Sequence, residues 1–252
     1  MKAVSELKVK IFGDGADLAG ILELSRLPYI RGFTTNPTLM RKAGVPDYEE
    51  FAAEVLRNIK DRPVSFEVFA DDEETMEAQA KHIASWAKNV YVKIPVTNTK
   101  REPMYRLIHR LSHEGIQVNV TAMLTLEQVR EVGKALDGGA PSNVSIFAGR
   151  VADTGRDPMP LMKEALQILS GNPHTELIWA SPRELLNIFQ ADEIGCHIIT
   201  VTNDILAKLK LVGKDLGDFS LETVQMFHND AAKAGYTLGV AESVRGAKSS
   251  KG

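Results

Sequence analysis

Lys93 is the residue in this 252-residue chain whose position most demands an explanation. It lies inside VYVKIPV (90–96), a run of apolar and β-branched side chains that reads as a buried strand. Burying an ammonium is costly unless a partner compensates it or its pKa falls. A desolvated lysine of that kind can attack a carbonyl and form a Schiff base. The plainer reading is a structural ion pair with Glu67, in the neighbouring run VSFEVF (64–69). Asp14, ending VKIFGD (9–14), and Glu67 supply two carboxylates for proton transfer. Helix capping is the alternative role for Asp14, and a salt bridge the alternative for Glu67. Arg150 and Arg183, with Ser181 at a strand-to-helix turn, combine guanidinium forks with a helix N-terminus, which suggests a phosphorylated substrate.

These residues need elements to position them. Strands are expected at 9–14, 32–36, 64–69, 90–96, 117–121, 143–149, 176–181 and 197–202. Between them lie segments with apolar residues at i, i+3, i+4 spacing and charges opposite, the pattern of surface helices. Asp47 and Thr125 stand at plausible helix starts, and Gly115, Gly195 and Gly213 at plausible ends. Strand–helix alternation implies a parallel sheet covered by helices, and eight pairs in about 250 residues fit a closed (β/α)8 barrel. An open doubly wound sheet is the structural alternative. One barrel domain is expected over 1–238, including a ninth helix at 220–235, with a disordered tail at 239–252.

In such a barrel, chemistry gathers at the C-terminal ends of the strands. Those ends carry Asp14, Thr34 with Asn36, Glu67, Lys93, Asn119 with Thr121, Ser145 with Arg150, and Ser181 with Arg183. Residues two apart share a strand face, so Thr34/Asn36 and Asn119/Thr121 are each expected to point inward together.

Composition excludes several classes. The balance of 30 basic and 33 acidic residues gives no electrostatic footprint for nucleic acid or an anionic membrane. No stretch approaches a membrane-spanning length, and the first residues lack a signal-peptide core, so a reducing cytoplasm is the expected location. The single cysteine, Cys196, excludes an internal disulfide and reads as a small buried hydrophobe. GDGADLAG (13–20) lacks the third glycine of a dinucleotide loop, because Leu18 stands there. His109 and His113, four apart on a helix, belong to no HxH or HExxH pattern, and no metal is expected there.

The strand-end motifs resemble those of the transaldolase family in its short single-domain branch, which also contains fructose-6-phosphate aldolases. GFTTNPTLM (32–40) and VYVKIPVTN (90–98) look like the two family signatures. SFEVFA (65–70), NVTAMLT (119–125) and SIFAGRVAD (145–153) match in order and spacing, so the resemblance covers roughly 8–238. It implies that Lys93 forms the Schiff base with C2 of a ketose phosphate and that Asp14 takes the C4 hydroxyl proton. Glu67 and Thr121 would hold a proton-shuttling water. Asn36, Asn119 and Ser145 would hydrogen-bond the retained dihydroxyacetone unit, Thr34 and Phe147 would complete the substrate-binding set, and Arg150, Ser181 and Arg183 would grip the phosphate. The likeness implies no metal and no organic cofactor, sugar phosphates as partners, a place in the pentose phosphate pathway, and a homo-oligomer of five or ten subunits.

Two positions bear on reaction type. The aldolase branch resembles this chain but carries Gln at position 67 and Tyr at position 147; here they are Glu67 and Phe147, as in transaldolases. A transferase is therefore expected over a lyase that releases free dihydroxyacetone. Gly15 and Pro182 depart from the family pattern near the donor, which leaves room for another anionic ketose such as a sulfonated one. A non-catalytic sugar-phosphate-binding barrel is the reading from another class.

Overall fold

The computed structural model describes residues 2–238, so the tail expected at 239–252 lies outside the described residues. Eight parallel strands close into a barrel in chain order: β1 (Lys10–Asp14), β2 (Ile30–Thr34), β3 (Val64–Glu67), β4 (Val90–Pro95), β5 (Val118–Met123), β6 (Ser142–Ile146), β7 (Thr175–Trp179) and β8 (Ile198–Thr202). Helices follow each strand. They are α1 (Leu18–Ser25), α2 (Pro37–Ala43), α3 (Tyr48–Asn58), α4 (Glu73–Ala84), α5 (Tyr105–His113) and α6 (Leu126–Leu136). Beyond these come α7 (Ala148–Asp153), α8 (Pro158–Leu169), α9 (Leu186–Glu193) and α10 (Asn203–Leu206). The barrel occupies a compact unit, Lys2–Lys210, and the segment from Leu211 onward forms a second.

The barrel with an additional C-terminal helix agrees with the sequence reading; several boundaries do not. Five strands stop short of their expected ends: β2 at Thr34, β3 at Glu67, β4 at Pro95, β6 at Ile146 and β7 at Trp179. At β2 the cause is local. Asn36 turns extended and accepts a hydrogen bond from Leu39 N, and Pro37 takes the first helical position of α2. At β6, Phe147 ends the strand and α7 begins at once. Neither α2 nor α7 was expected, since segments of 7 and 6 residues are too short to show a periodicity. The helix expected at 220–235 is α11 (Leu216–Lys233), started earlier by Asp215, whose side chain accepts from Gly217 N and Asp218 N.

Two apolar clusters hold the barrel unit. The larger fills the layer between sheet and helices, with Val64, Phe66, Val92, Ile94, Leu107, Leu111, Val118 and Val120 all fully or nearly fully buried. The smaller lies within the barrel and comprises Phe12, Ile178, Ala180 and Ile198, with Phe147 packed on it. Hydrogen bonds between strands that are not neighbours identify the inward face elsewhere: Thr34 of β2 meets Thr200 of β8, and Asn119 of β5 meets Ser65 of β3. The interior is thus apolar beside β1, β7 and β8 at Phe12, Ile178, Ala180 and Ile198, and polar beside β2 to β6, with Asp14 and Thr200 extending the polar part onto β1 and β8.

At the N-terminal end, Asp192 of α9 gathers the start of the chain. Its carboxylate accepts from Lys8 N at 2.5 Å and Val9 N at 3.1 Å, and pairs with Lys2 Nζ at 2.5 Å. Burial opposes its charge, but these three donors win and hold the carboxyl below its usual range. Because the folded pKa is depressed, its stabilisation is present above the unfolded value and is lost as pH falls through the folded one. Asp192→Ala is expected to cost about 1–3 kcal/mol in urea denaturation at pH 7 by orphaning the buried N–H of Val9 and the half-buried N–H of Lys8. The deficit should shrink in acid, and an unchanged deficit at low pH would contradict this role.

Candidate active site

The parallel register brings the predicted residues to one end of the barrel. Glu67 pairs with Lys93 across β3/β4, Lys93 with Asn119 and Pro95 with Thr121 across β4/β5, and Asp14 with Thr34 across β1/β2. Lys93 is 6% exposed, and its Nζ sits 3.0 Å from Glu67 Oε2 and donates to Thr35 O at 2.8 Å. The ion pair foreseen as the plainer reading therefore exists. It also leaves the ammonium with one further donor proton, since two of its three are spent.

A second cluster surrounds Asp14. Thr34 Oγ1 donates to Asp14 Oδ1 at 2.8 Å and lies 2.5 Å from Thr200 Oγ1. A hydroxyl has one proton, so while Thr34 donates to the carboxylate, Thr200 must donate to Thr34. Burial pushes the Asp14 carboxyl up, against the attraction of Lys93 and the Thr34 hydrogen bond, and the Glu67 charge pushes it further. Asp14 caps no helix; Asp17 caps α1 instead, accepting from Gly20 N.

Asn119, fully buried, donates to Ser65 Oγ at 3.0 Å and accepts from Ser145 Oγ at 2.7 Å. Thr121 Oγ1 is buried with no hydrogen-bond partner among the described residues, leaving its donor and acceptor capacity unspent. Just beyond it, Ala122 takes a left-handed φ of 63° at a register shift between β5 and β6, a bulge that sets where Thr121 points. Asn36 lies beyond the end of β2, and its carbonyl oxygen caps α2, which leaves its amide N–H2 free to face the barrel mouth.

The guanidinium pair is arranged less evenly than expected. Arg183 is held by Asp153, with Nε to Oδ1 at 2.9 Å and Nη2 to Oδ2 at 2.5 Å, and Nη1 donates to Ser181 Oγ at 3.2 Å. The fork keeps the Asp153 carboxyl below its usual range. Arg150, on α7, lies over the Phe147 ring at 5.6 Å and has no carboxylate partner among the described residues. Gly149 and Ser181 bring the two loops together. A Cβ at Gly149 would fall 1.6 Å from Ser181 O, and Ser181 itself has a φ of 61°. Only glycine permits that approach.

Sequence reasoning missed Ser65, Thr200 and Asp153. The first two had a signal, since Ser65 shares a strand face with Glu67, and Thr200 with Thr202, by period-two alternation. Asp153 had none, because its partner lies 30 residues away.

Similarity to known proteins identifies the family of the chain. The chain matches the family described as Transaldolase/Fructose-6-phosphate aldolase over residues 11–241. It is 38% identical over 202 residues to the "Probable transaldolase 2" of Listeria monocytogenes, covering 80% of this chain and 88% of that one. It is 36% identical over 231 residues to the "Probable transaldolase" of a Thermoanaerobacter species, covering 91% of this chain and 100% of the relative. Among solved structures, KGPDC from Streptococcus mutans superposes with a TM-score of 0.53 at 11% identity, over 79% of this chain and 90% of that one, a likeness of fold alone. With sequence and fold in agreement, the chain belongs to the transaldolase/fructose-6-phosphate aldolase family.

Proposed function

We propose that this protein is a transaldolase that moves a dihydroxyacetone unit from a ketose phosphate such as fructose 6-phosphate to an aldose phosphate through a Schiff base on Lys93. The observation that carries this reading is the buried Lys93 Nζ, 3.0 Å from Glu67 and at the C-terminal end of β4. The ammonium gives up a proton, and the amine attacks the C2 ketone. Glu67 and Thr121 hold the water that carries protons as the carbinolamine loses water to become an iminium. Asp14 takes the proton of the C4 hydroxyl; the C3–C4 electrons flow into the iminium, the aldehyde leaves and an enamine stays on Lys93. An acceptor aldehyde then reverses these steps, with Asp14 returning the proton.

The remaining roles follow the geometry. Asn119 and Ser145, tied to each other, and the free amide of Asn36 face the three-carbon unit. Thr34 orients Asp14. Arg150 and the Ser181 hydroxyl, backed by Arg183, bind the phosphate, with Arg183 acting partly through its fork to Asp153. Phe147 offers no hydroxyl to protonate the enamine, which favours transfer over release. The reading includes a cytoplasmic homo-oligomer, pentamer or decamer by resemblance, acting in the pentose phosphate pathway.

Borohydride reduction in the presence of fructose 6-phosphate should leave a three-carbon adduct on the peptide containing Lys93, read by mass spectrometry. An adduct elsewhere, or none, would overturn the Schiff-base assignment and leave a binding protein.

Asp14→Asn should slow turnover by about 10²–10⁴-fold while borohydride still traps an adduct, now the uncleaved six-carbon phosphate. Burial raises the folded pKa of Asp14. Stability is therefore lost as pH rises from the unfolded carboxylate value to the raised folded one, and the variant should melt no lower than the parent at pH 7. The activity of the parent should fall away on the acid side at a pH above the ordinary carboxylate range. A lower melting temperature together with a three-carbon adduct in the variant would refute this role.

Phe147→Tyr should raise donor consumption in the absence of any acceptor. Equal acceptor-independent rates in the two proteins would remove Phe147 as the determinant of transfer, and steady acceptor-free turnover by the parent would favour the aldolase.

A further inference from the structure

The β2/β3 ladder ends early, and its end falls beside the catalytic pair. Paired residues are Phe33 with Val64 and Thr34 with Ser65; the last bonds run from Thr35 N and Thr35 Oγ1 to Ser65 O, at 3.2 and 2.8 Å. Successive residues of a strand direct their backbone groups to opposite neighbours. Val68 N points to β4, where it donates to Lys93 O at 3.2 Å. Glu67 N–H and C=O consequently point toward β2, one residue past the place where β2 has turned into α2. They have no strand to meet.

Tyr48, the first residue of α3, meets both. Glu67 N donates to the Tyr48 hydroxyl at 2.7 Å, and the same hydroxyl donates to Glu67 O at 3.0 Å. One oxygen does what a neighbouring strand residue would do. The ring is fixed in turn by aromatic neighbours: Phe69 with centroids 4.5 Å apart, Trp86 at 5.9 Å and Phe66 at 6.2 Å. Phe66 lies on the outer face of β3, opposite Glu67, so the cluster grips the strand from behind while the hydroxyl grips its edge. Burial pushes the Tyr48 phenol above its usual range, so it keeps its donor proton.

We propose that Tyr48 is a positioning residue for the aldol chemistry, its hydroxyl standing in for the absent β2 neighbour at Glu67 and thereby fixing the Glu67 carboxylate against Lys93 Nζ. This rests on the Schiff-base reading above. Without the hydroxyl, the Glu67 peptide has an unpaired donor and acceptor and can rotate to reach water, carrying its carboxylate away from Lys93. The affected steps are the proton transfers of carbinolamine formation and dehydration, whereas phosphate binding by the β6 and β7 loops is untouched.

The test is Tyr48→Phe, alone and combined with Glu67→Gln, measured in the full-length protein at a temperature well below its melting point. The single variant should lower kcat and the rate of borohydride-trappable adduct formation on the order of 10- to 100-fold, with KM within about twofold, since small misplacements of a reacting group cost rates of that size. In the Glu67→Gln background the same change should cost less than about twofold, because its effect is transmitted through the carboxylate. Introducing p-aminophenylalanine at position 48, which keeps the ring and a donor, should recover a substantial part of the rate, and it decides the matter if Tyr48→Phe does not fold. Equal losses in both backgrounds, a loss confined to KM, or no recovery with the amino analogue would overturn the proposal. If the parent protein itself yields no adduct at Lys93, the Schiff-base reading fails instead, which is a different result from a parent that traps normally and a Tyr48→Phe variant that matches it.

Discussion

Keeping an ammonium inside a barrel is the constraint from which the rest of this architecture follows. An unpaired buried cation costs several kcal/mol, so Lys93 requires both a counter-charge and a hydrogen-bond acceptor within reach. Glu67 supplies the first through strand register. Thr35 supplies the second through a backbone carbonyl that is available because β2 stops at Thr34. Had β2 continued in register with β3, that carbonyl would have bonded within the sheet. The early end of β2 comes from Asn36 and Pro37 starting a helix, so a capping residue 57 positions away in sequence conditions the environment of the lysine.

The interior divides by function. Beside β1, β7 and β8 it is filled with Phe12, Ile178, Ala180 and Ile198, which close the barrel as a packed core. Its polar part holds Thr34, Ser65, Glu67, Lys93, Asn119 and Ser145, joined by side-chain bonds to one another or to Asp14 and Thr200, together with the unpartnered hydroxyl of Thr121. Such a network stabilises little beyond satisfying its own members, so stability comes from the outer layer of aliphatic residues and the helices they hold. That separation permits the polar half to carry strained or costly groups, of which the raised Asp14 carboxyl is one.

Much of this was legible in the sequence because it is periodic. Eight apolar runs spaced by helical segments specify the barrel, and the alternation within each run places Asp14, Glu67, Lys93, Asn119 and Ser145 on the inward face. What escaped is short or distant. Helices α2 and α7 carry too few residues to show a 3.6-residue period, yet they decide where β2 and β6 end and where Arg150 sits. The Asp153–Arg183 fork and the Tyr48–Glu67 clasp join residues 30 and 19 apart, and nothing in either residue's own neighbourhood announces its partner. The alternation shows Asn36 as a polar group at the end of β2 but not that its carbonyl oxygen also caps the first turn of α2.

The approach of Gly149 to Ser181 has a further meaning. With Ser181 O lying where a Cβ would be, and Arg183 forked onto Asp153, the loop after β6 and the loop after β7 are interlocked at two points. They form one joint instead of two independent hinges. A change in the sequence of one loop must then be matched in the other. The two loops can therefore vary only as one unit, while the barrel behind them is free to vary separately.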